Sequence, residues 1–202
     1  MTQSVRILDY IHAPCTETEL AAFITEAFAT ATHKDGTEAE LVHRLRNDPA
    51  RALRFPNEFV ALDEQTQELV GHVLLSRTTI TTAYGDAVGA VLLAPICVKR
   101  ERRSRGIGSA LIEECLRQCR LANEKWMVVL GDPAYYGRFG FRLFAEYGLT
   151  VEGDPSGELL SYSQVLALTD PAEKPELLDQ ARVDFLMGYA ESDTRSVTVT
   201  MV

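Results

Sequence analysis

One segment constrains this chain more than any other: over residues 87–130 an apolar strand, a basic loop with two glycines, a helix and a second apolar strand follow in order. Ala87 to Val98 has strand character, and the helix from about Gly108 to Ala122 carries Leu111, Cys115, Leu116 and Cys119 on one side. Trp126-Met127-Val128-Val129-Leu130 is almost continuously apolar, the pattern of a strand covered on both faces. A crossover of this kind requires the second strand to lie parallel to the first, or beside it. Val5-Arg6-Ile7-Leu8, Phe59-Val60-Ala61-Leu62 and Leu69 to Thr79 also read as strands, with polar turns at 63–67 and at Tyr84-Gly85-Asp86. Short connections imply antiparallel pairing there. The expected fold is therefore α/β, with an α+β mixed sheet that is antiparallel in its first half and β-α-β in its second.

Two helices precede the meander. Thr16 with Glu19 and Thr37 with Glu40 read as capping boxes, the first opening a helix with Leu20, Phe23, Ile24 and Phe28 at helical spacing. Between them His33-Lys34-Asp35-Gly36 is turn-like. Beyond Phe141 the pattern weakens: Leu159 to Leu168 and Ser196 to Val202 have strand character, and Asp170 to Gln180 is charged and helix-prone. A length of 202 residues suits one domain with a real core. Residues 1–150 form the expected catalytic domain, and 151–202 an extension that completes or flanks it. The last twenty residues are compatible with packing on the body, pairing in a homodimer or staying loose.

A formal net charge of −9 argues against general affinity for nucleic acid or an anionic membrane, both of which need a positive surface field. There is no signal-like segment and no apolar run near the roughly twenty residues of a transmembrane helix, so a cytoplasmic protein is expected. Cys15, Cys97, Cys115 and Cys119 form no Cys-x-x-Cys pair and read as reduced packing residues.

The basic charge is concentrated. Lys99, Arg100, Arg102, Arg103 and Arg105 are five of the chain's twenty basic residues. They precede Gly106-Ile107-Gly108-Ser109 at a strand-to-helix junction, where unpaired N–H groups and the positive end of the helix dipole favour an anion. Glycines at this point let a phosphate approach the backbone. The loop lacks the Gly-Lys-Ser/Thr ending of a P-loop and the three-glycine dinucleotide fingerprint. A charge run alone is as compatible with a solvated turn; the glycines turn the reading towards a pyrophosphate site.

Arg103-x-x-Gly106-x-Gly108 after a strand resembles the acetyl-CoA motif of the GNAT superfamily of N-acetyltransferases. The block Leu130-Gly131-Asp132-Pro133-Ala134-Tyr135-Tyr136-Gly137-Arg138-Phe139-Gly140-Phe141 is similar to that family's tyrosine pair and closing Gly-Phe, in the form of one bacterial branch. Glu40-Leu41-Val42-His43-x-Leu45-Arg46 resembles the same branch, and the likeness runs through residues 1–145. It implies a sheet whose two central parallel strands splay apart, and an acetyl-CoA or other acyl-CoA donor with no metal. It also implies that the backbone of Ile96-Cys97-Val98 pairs with the pantetheine arm. Arg103, Ser104, Arg105, Gly106, Ile107, Gly108 and Ser109 would hold the pyrophosphate, and Asp132, Tyr135, Tyr136 and Arg138 would line the other side of the thioester.

Amide formation from a thioester needs a neutral amine, a stabilised oxyanion and a protonated leaving thiolate. The family's route is direct attack in a ternary complex. An unpaired N–H near Val98 would polarise the carbonyl. Tyr136 is the candidate general acid, since a phenol with a pKa of about 10 can donate to an alkyl thiolate; Tyr135 is read as packing or donor-binding, with an exchange of roles left open. For a general base the residues offer Glu58 and His72. Cys97 is close to the expected thioester, but its apolar neighbours argue for packing rather than covalent catalysis. The acceptor is an amine of unknown identity: an acidic chain can attract a cationic one, but net charge does not describe the cleft, and small-molecule and protein acceptors stand equally. A non-catalytic acyl-CoA-binding module and a longer-chain acyltransferase remain the alternatives.

Overall fold

Short polar turns set the pairing of the meander. In this computed structural model, which describes residues 4–29, 36–81, 86–151, 154, 156–169 and 182–183, β1 (Val5–Asp9), β2 (Glu58–Asp63), β3 (Leu69–Thr81) and β4 (Ala87–Val98) are successive antiparallel neighbours. The long helix of the crossover, α3 (Ile107–Leu121), leads to β5 (Trp126–Leu130), which lies parallel to β4. A single turn, α4 (Pro133–Tyr136), follows. The short β6 (Arg142–Leu143) and β7 (Thr150–Val151) precede β8 (Ser163–Ala167), which pairs antiparallel with β5 and carries β6 on its outer edge. β9 (Arg182–Val183) joins β7 to the far end of β3.

The expected mixed sheet is thus present, and the strand seen in 159–168 is confined to β8 because a tight 3-10 turn occupies Glu158–Ser161. The readings of 33–35, 84–85, 170–180 and 196–202 lie outside the described residues.

Two helices, α1 (Glu17–Phe28) and α2 (Glu38–Asn47), cover one face of the sheet and α3 covers the other. The Thr16–Glu19 capping box forms as expected, the Thr16 hydroxyl accepting from Glu19 N–H (3.2 Å) and Glu19 accepting from Thr16 N–H (2.7 Å). The second box does not: Thr37 occupies the N-cap position with φ −102° and ψ 3°, a backbone that does not aim its side chain at the helix N–H groups, and makes no capping bond. Leu111, Ile112, Cys115, Leu116 and Cys119 form the buried face of α3, each large aliphatic side chain contributing about 1.5–3 kcal/mol by leaving water. Gly71 of β3 makes this packing close. A Cβ there would lie 3.0 Å from Leu111 Cδ1 and 3.1 Å from Ile107 Cγ2. Among the described residues no helix is long and apolar enough to cross a membrane.

A candidate donor cleft between splayed strands

The site arises where the sheet stops being regular. Ile96 pairs with Val73 and Leu93 with Leu75, so Ala94 and Pro95 face one residue, Leu74, and β4 bulges. Beside it, β5 pairs with β4 only at Val91–Met127 and Leu92–Val128. Past that point β4 stays with β3 and β5 stays with β8, and the two parallel strands part company. Lys99 N–H donates to Val70 C=O (2.9 Å), so by the alternation of an antiparallel ladder the N–H groups of Ile96 and Val98 point the other way, to the edge that β5 has left.

A cavity of about 570 Å³ opens there, lined by Val98, by 102–104 and 106–109, and by Asp132, Ala134, Tyr135 and Arg138. Its floor is the N-terminus of α3. Gly106 caps the helix with φ +84°, a left-handed backbone suited to glycine. Ala110 is the first residue to bond back, to Gly106 C=O at 2.9 Å. The N–H groups of Ile107, Gly108 and Ser109 therefore lie at the open helix end with the positive pole of the dipole. A Cβ at Gly108 would lie 2.5 Å from the Tyr135 hydroxyl, so a side chain there would have to displace that tyrosine.

The opposite wall is α4. Asp132 caps it, accepting from Ala134 N–H at 2.9 Å. Arg138 donates to Tyr135 C=O (3.2 Å) and stacks 4.6 Å from the Tyr135 ring centroid. Successive residues of a helix project about 100° apart, so a one-turn helix cannot aim both tyrosines at one cavity. Tyr135 faces it. Tyr136 is 6% exposed and packs edge-on against Tyr135 (5.1 Å) and Phe141 (5.9 Å), with its ring against the backbone of Gly131 at the end of β5. Tyr136 therefore stands in the wall behind Tyr135 and is not among the residues lining this cavity. Burial pushes its phenol pKa up, and the nearby Tyr135, Asp132 and Cys115 act the same way.

The basic loop also divides. Arg102 pairs with Asp63 (3.2 Å) and with Glu68 (3.4 Å), and Lys99 pairs with Glu68. Arg103 donates from Nη2 to Ala27 C=O (2.8 Å) and from Nε to Val98 C=O (3.2 Å). Two of its donors thus tie the end of α1 to the end of β4, although the residue still borders the cavity. Arg105 is exposed. Much of the charge run is structural, and at the floor of the cavity the polar groups are chiefly backbone N–H groups.

Cys97 does not face the cleft. Its side chain is fully buried among residues of the α1/α2 face, where burial raises the thiol's pKa and leaves it a poor nucleophile. Only its backbone belongs to the strand edge. Glu58 and His72 are brought together, but on that same face rather than in the cavity: His72 Nε2 lies 2.8 Å from Glu58 Oε1. Arg46 of α2, not foreseen, holds both oxygens of Glu58 (2.7 and 2.9 Å). The signal for it was Arg46 itself, one residue past the apolar stripe of α2.

A family model described as an acetyltransferase (GNAT) domain matches residues 56–143. YhbS of Escherichia coli K12, described as an uncharacterized N-acetyltransferase, is 33% identical over 124 residues, 61% of this chain and 70% of YhbS. The chain belongs to the GNAT family of N-acetyltransferases. Among solved structures, E. coli YhbS in complex with CoA superposes with a TM-score of 0.63 and 26% identity, over 91% of this chain and 89% of that one. A GNAT acetyltransferase from Brucella melitensis in complex with acetyl-CoA superposes with a TM-score of 0.61 and 29% identity, over 82% and 88%.

Proposed function

We propose that this protein transfers the acetyl group of acetyl-CoA to a primary amine by direct attack in a ternary complex. The carrying observation is the cavity at the β4/β5 splay, floored by the α3 N-terminus and lacking a side chain at Gly108. The complexes of E. coli YhbS with CoA and of the B. melitensis enzyme with acetyl-CoA support the same donor.

In this reading residues 103–109 receive the pyrophosphate, with the N–H groups of Ile107, Gly108 and Ser109 as donors and Arg105 at the rim. Tyr135, Asp132 and Arg138 hold the donor from the α4 side. The N–H groups of Ile96 and Val98 pair with the pantetheine amides and polarise the thioester carbonyl. Tyr136, beside Gly131 at the end of β5, gives its proton to the departing thiolate. Residues 1–150 carry the donor site, and the extension from 151 completes the same domain, since β8 sits between β5 and β6. Four free cysteines suit a reducing, cytoplasmic setting.

Titration calorimetry with CoA and a CoA-release assay against an amine panel test the reading; a protein that binds no CoA would end it. Gly108→Val is the sharper probe, because the branched side chain would enter the space of the Tyr135 hydroxyl and cover the helix end. Losing charge-assisted bonds worth about 1.5–3 kcal/mol is expected to raise the KM for acetyl-CoA about 10- to 100-fold, with the amine KM little changed. An equal rise for both substrates contradicts the pyrophosphate assignment.

A further inference from the structure

Gln164 takes no part in the donor cavity, and its place is an unusual one for an amide. It lies in β8, outside the residues 56–143 that match the family model, and is 1% exposed. Its neighbour Val165 packs in the core under α1 and α2, and Leu166 packs in the core under α3. By the alternation of a strand Gln164 shares the α3 side with Leu166, the side that also holds Tyr136 and Phe141. The period calls for an apolar residue there. An amide buried at such a position costs free energy unless its groups are bonded, so its bonds are the clue to its presence.

Those bonds replace half of a missing rung in the sheet. β5 and β8 pair antiparallel as far as Leu130–Ser163, and the next pair would be Gly131 with Tyr162. One bond of that rung forms, Gly131 N–H donating to Tyr162 C=O at 2.9 Å. The return bond does not, because Tyr162 N–H is turned to Leu159 C=O (3.0 Å) by the 3-10 turn at Glu158–Ser161. Gly131 C=O thereby loses its ladder donor. Gln164 Nε2 takes that donor's place, at 2.9 Å from Gly131 C=O, and it reaches Tyr162 C=O at 3.4 Å.

Gly131 is also the seat of Tyr136. A Cβ on Gly131 would run into the Tyr136 ring, so the ring rests directly on this backbone. The peptide from Gly131 to Asp132 then leads into α4, where Asp132 C=O accepts from Tyr135 N–H and Tyr136 N–H at 3.0 Å each. We propose that Gln164 is a positioning residue for the transfer step. By donating to Gly131 C=O it holds the end of β5 in place, and with it the Tyr136 ring in reach of the departing thiolate. The inference rests on the reading of Tyr136 as the acid. Gln164 does not line the donor cavity and acts only through Gly131.

The test is a double-mutant cycle between Tyr136→Phe and Gln164→Met, which keeps the length of the side chain and removes its donor. CoA release from acetyl-CoA is followed with the fastest amine of the panel. Alone, Gln164→Met is expected to lower kcat about 10- to 50-fold, with the KM for acetyl-CoA within about threefold of wild type. In the Tyr136→Phe background its further effect is expected to be under about twofold, because no phenol proton remains to be positioned. Losses that multiply, or a kcat for Gln164→Met within about twofold of wild type, overturn the inference. Where Gln164→Met fails to fold, Gln164→Glu carries the test. Burial and two facing carbonyl oxygens raise the pKa of the introduced carboxyl, and its protonated form donates as the amide does. Relative to wild type, its kcat is expected to be nearly whole at about pH 6 and to fall about tenfold or more by about pH 9. A ratio that does not change with pH overturns the inference. Full kcat in Tyr136→Phe instead removes the acid reading, and this inference with it.

Discussion

Tyr136→Phe is expected to lower kcat about 10²- to 10³-fold while leaving the KM for acetyl-CoA within about twofold of wild type. The substitution removes one oxygen and keeps the ring that packs on Gly131, Tyr135 and Phe141, so the wall of the cleft stays in place. Because burial holds the phenol pKa above its ordinary value, Tyr136 remains protonated throughout the working pH range. It can give a proton but has none to accept, which fits an acid to the thiolate and excludes it as the base. Tyr135→Phe is the control: its hydroxyl reaches over Gly108 from the α4 wall of the proposed donor cavity, and its loss should appear in the KM for acetyl-CoA. Steady-state kinetics of the two variants separate the roles. A kcat loss confined to Tyr135→Phe would transfer the acid to that residue, for the cavity lining already favours it on exposure alone.

The tyrosine pair also shows where sequence reasoning stops. Strand and helix positions were legible because burial imposes a period, and Ala87–Val98 and Trp126–Leu130 appear with the ends their apolar runs suggested. The glycine loop was legible because a left-handed backbone at Gly106 and the Tyr135 hydroxyl over Gly108 both favour a missing side chain. Which of Tyr135 and Tyr136 faces the cavity was not, since adjacent residues of a helix project about 100° apart and nothing local sets the rotation of α4. That rotation comes from Asp132 capping α4 and from the fit of the Tyr136 ring against Gly131, contacts made only once β5 and α4 are assembled.

The basic run shows a second limit. Five cations in seven positions suggest a phosphate grip, but the acidic residues that claim Lys99 and Arg102 lie more than thirty positions earlier, at Asp63 and Glu68 around the β2–β3 turn. Such pairings follow from strand register, which composition does not report.

Glu58→Ala is expected to destabilise the fold by about 3 kcal/mol, the low end for breaking a buried ion pair because Arg46 keeps some contact with water. Glu58 is the junction of four elements. Arg46 reaches it from α2, His72 from β3, and Arg46 also binds Glu17 of α1 at 2.8 Å and stacks 4.5 Å over the ring of Tyr10. Removing the carboxylate strands the fully buried Nε2–H of His72 and two guanidinium donors at once. For a domain of this size the loss corresponds to a melting temperature lower by roughly 6–12 °C. Glu58→Gln, which retains one acceptor oxygen, should fall between. The same carboxylate sets a pH dependence. Burial alone would raise its pKa, but the hydrogen bonds and charges of His72 and Arg46 outweigh burial and hold it below the ordinary value. A depressed carboxyl pKa contributes stability that is complete above the unfolded-state value of about 4.3 and is lost as pH falls through the lower folded-state value. Thermal melts from neutral pH down to about pH 3 should therefore show a steeper acid loss for wild type than for Glu58→Ala; parallel curves would mean that the Glu58 junction does not hold α1 and α2 to the sheet.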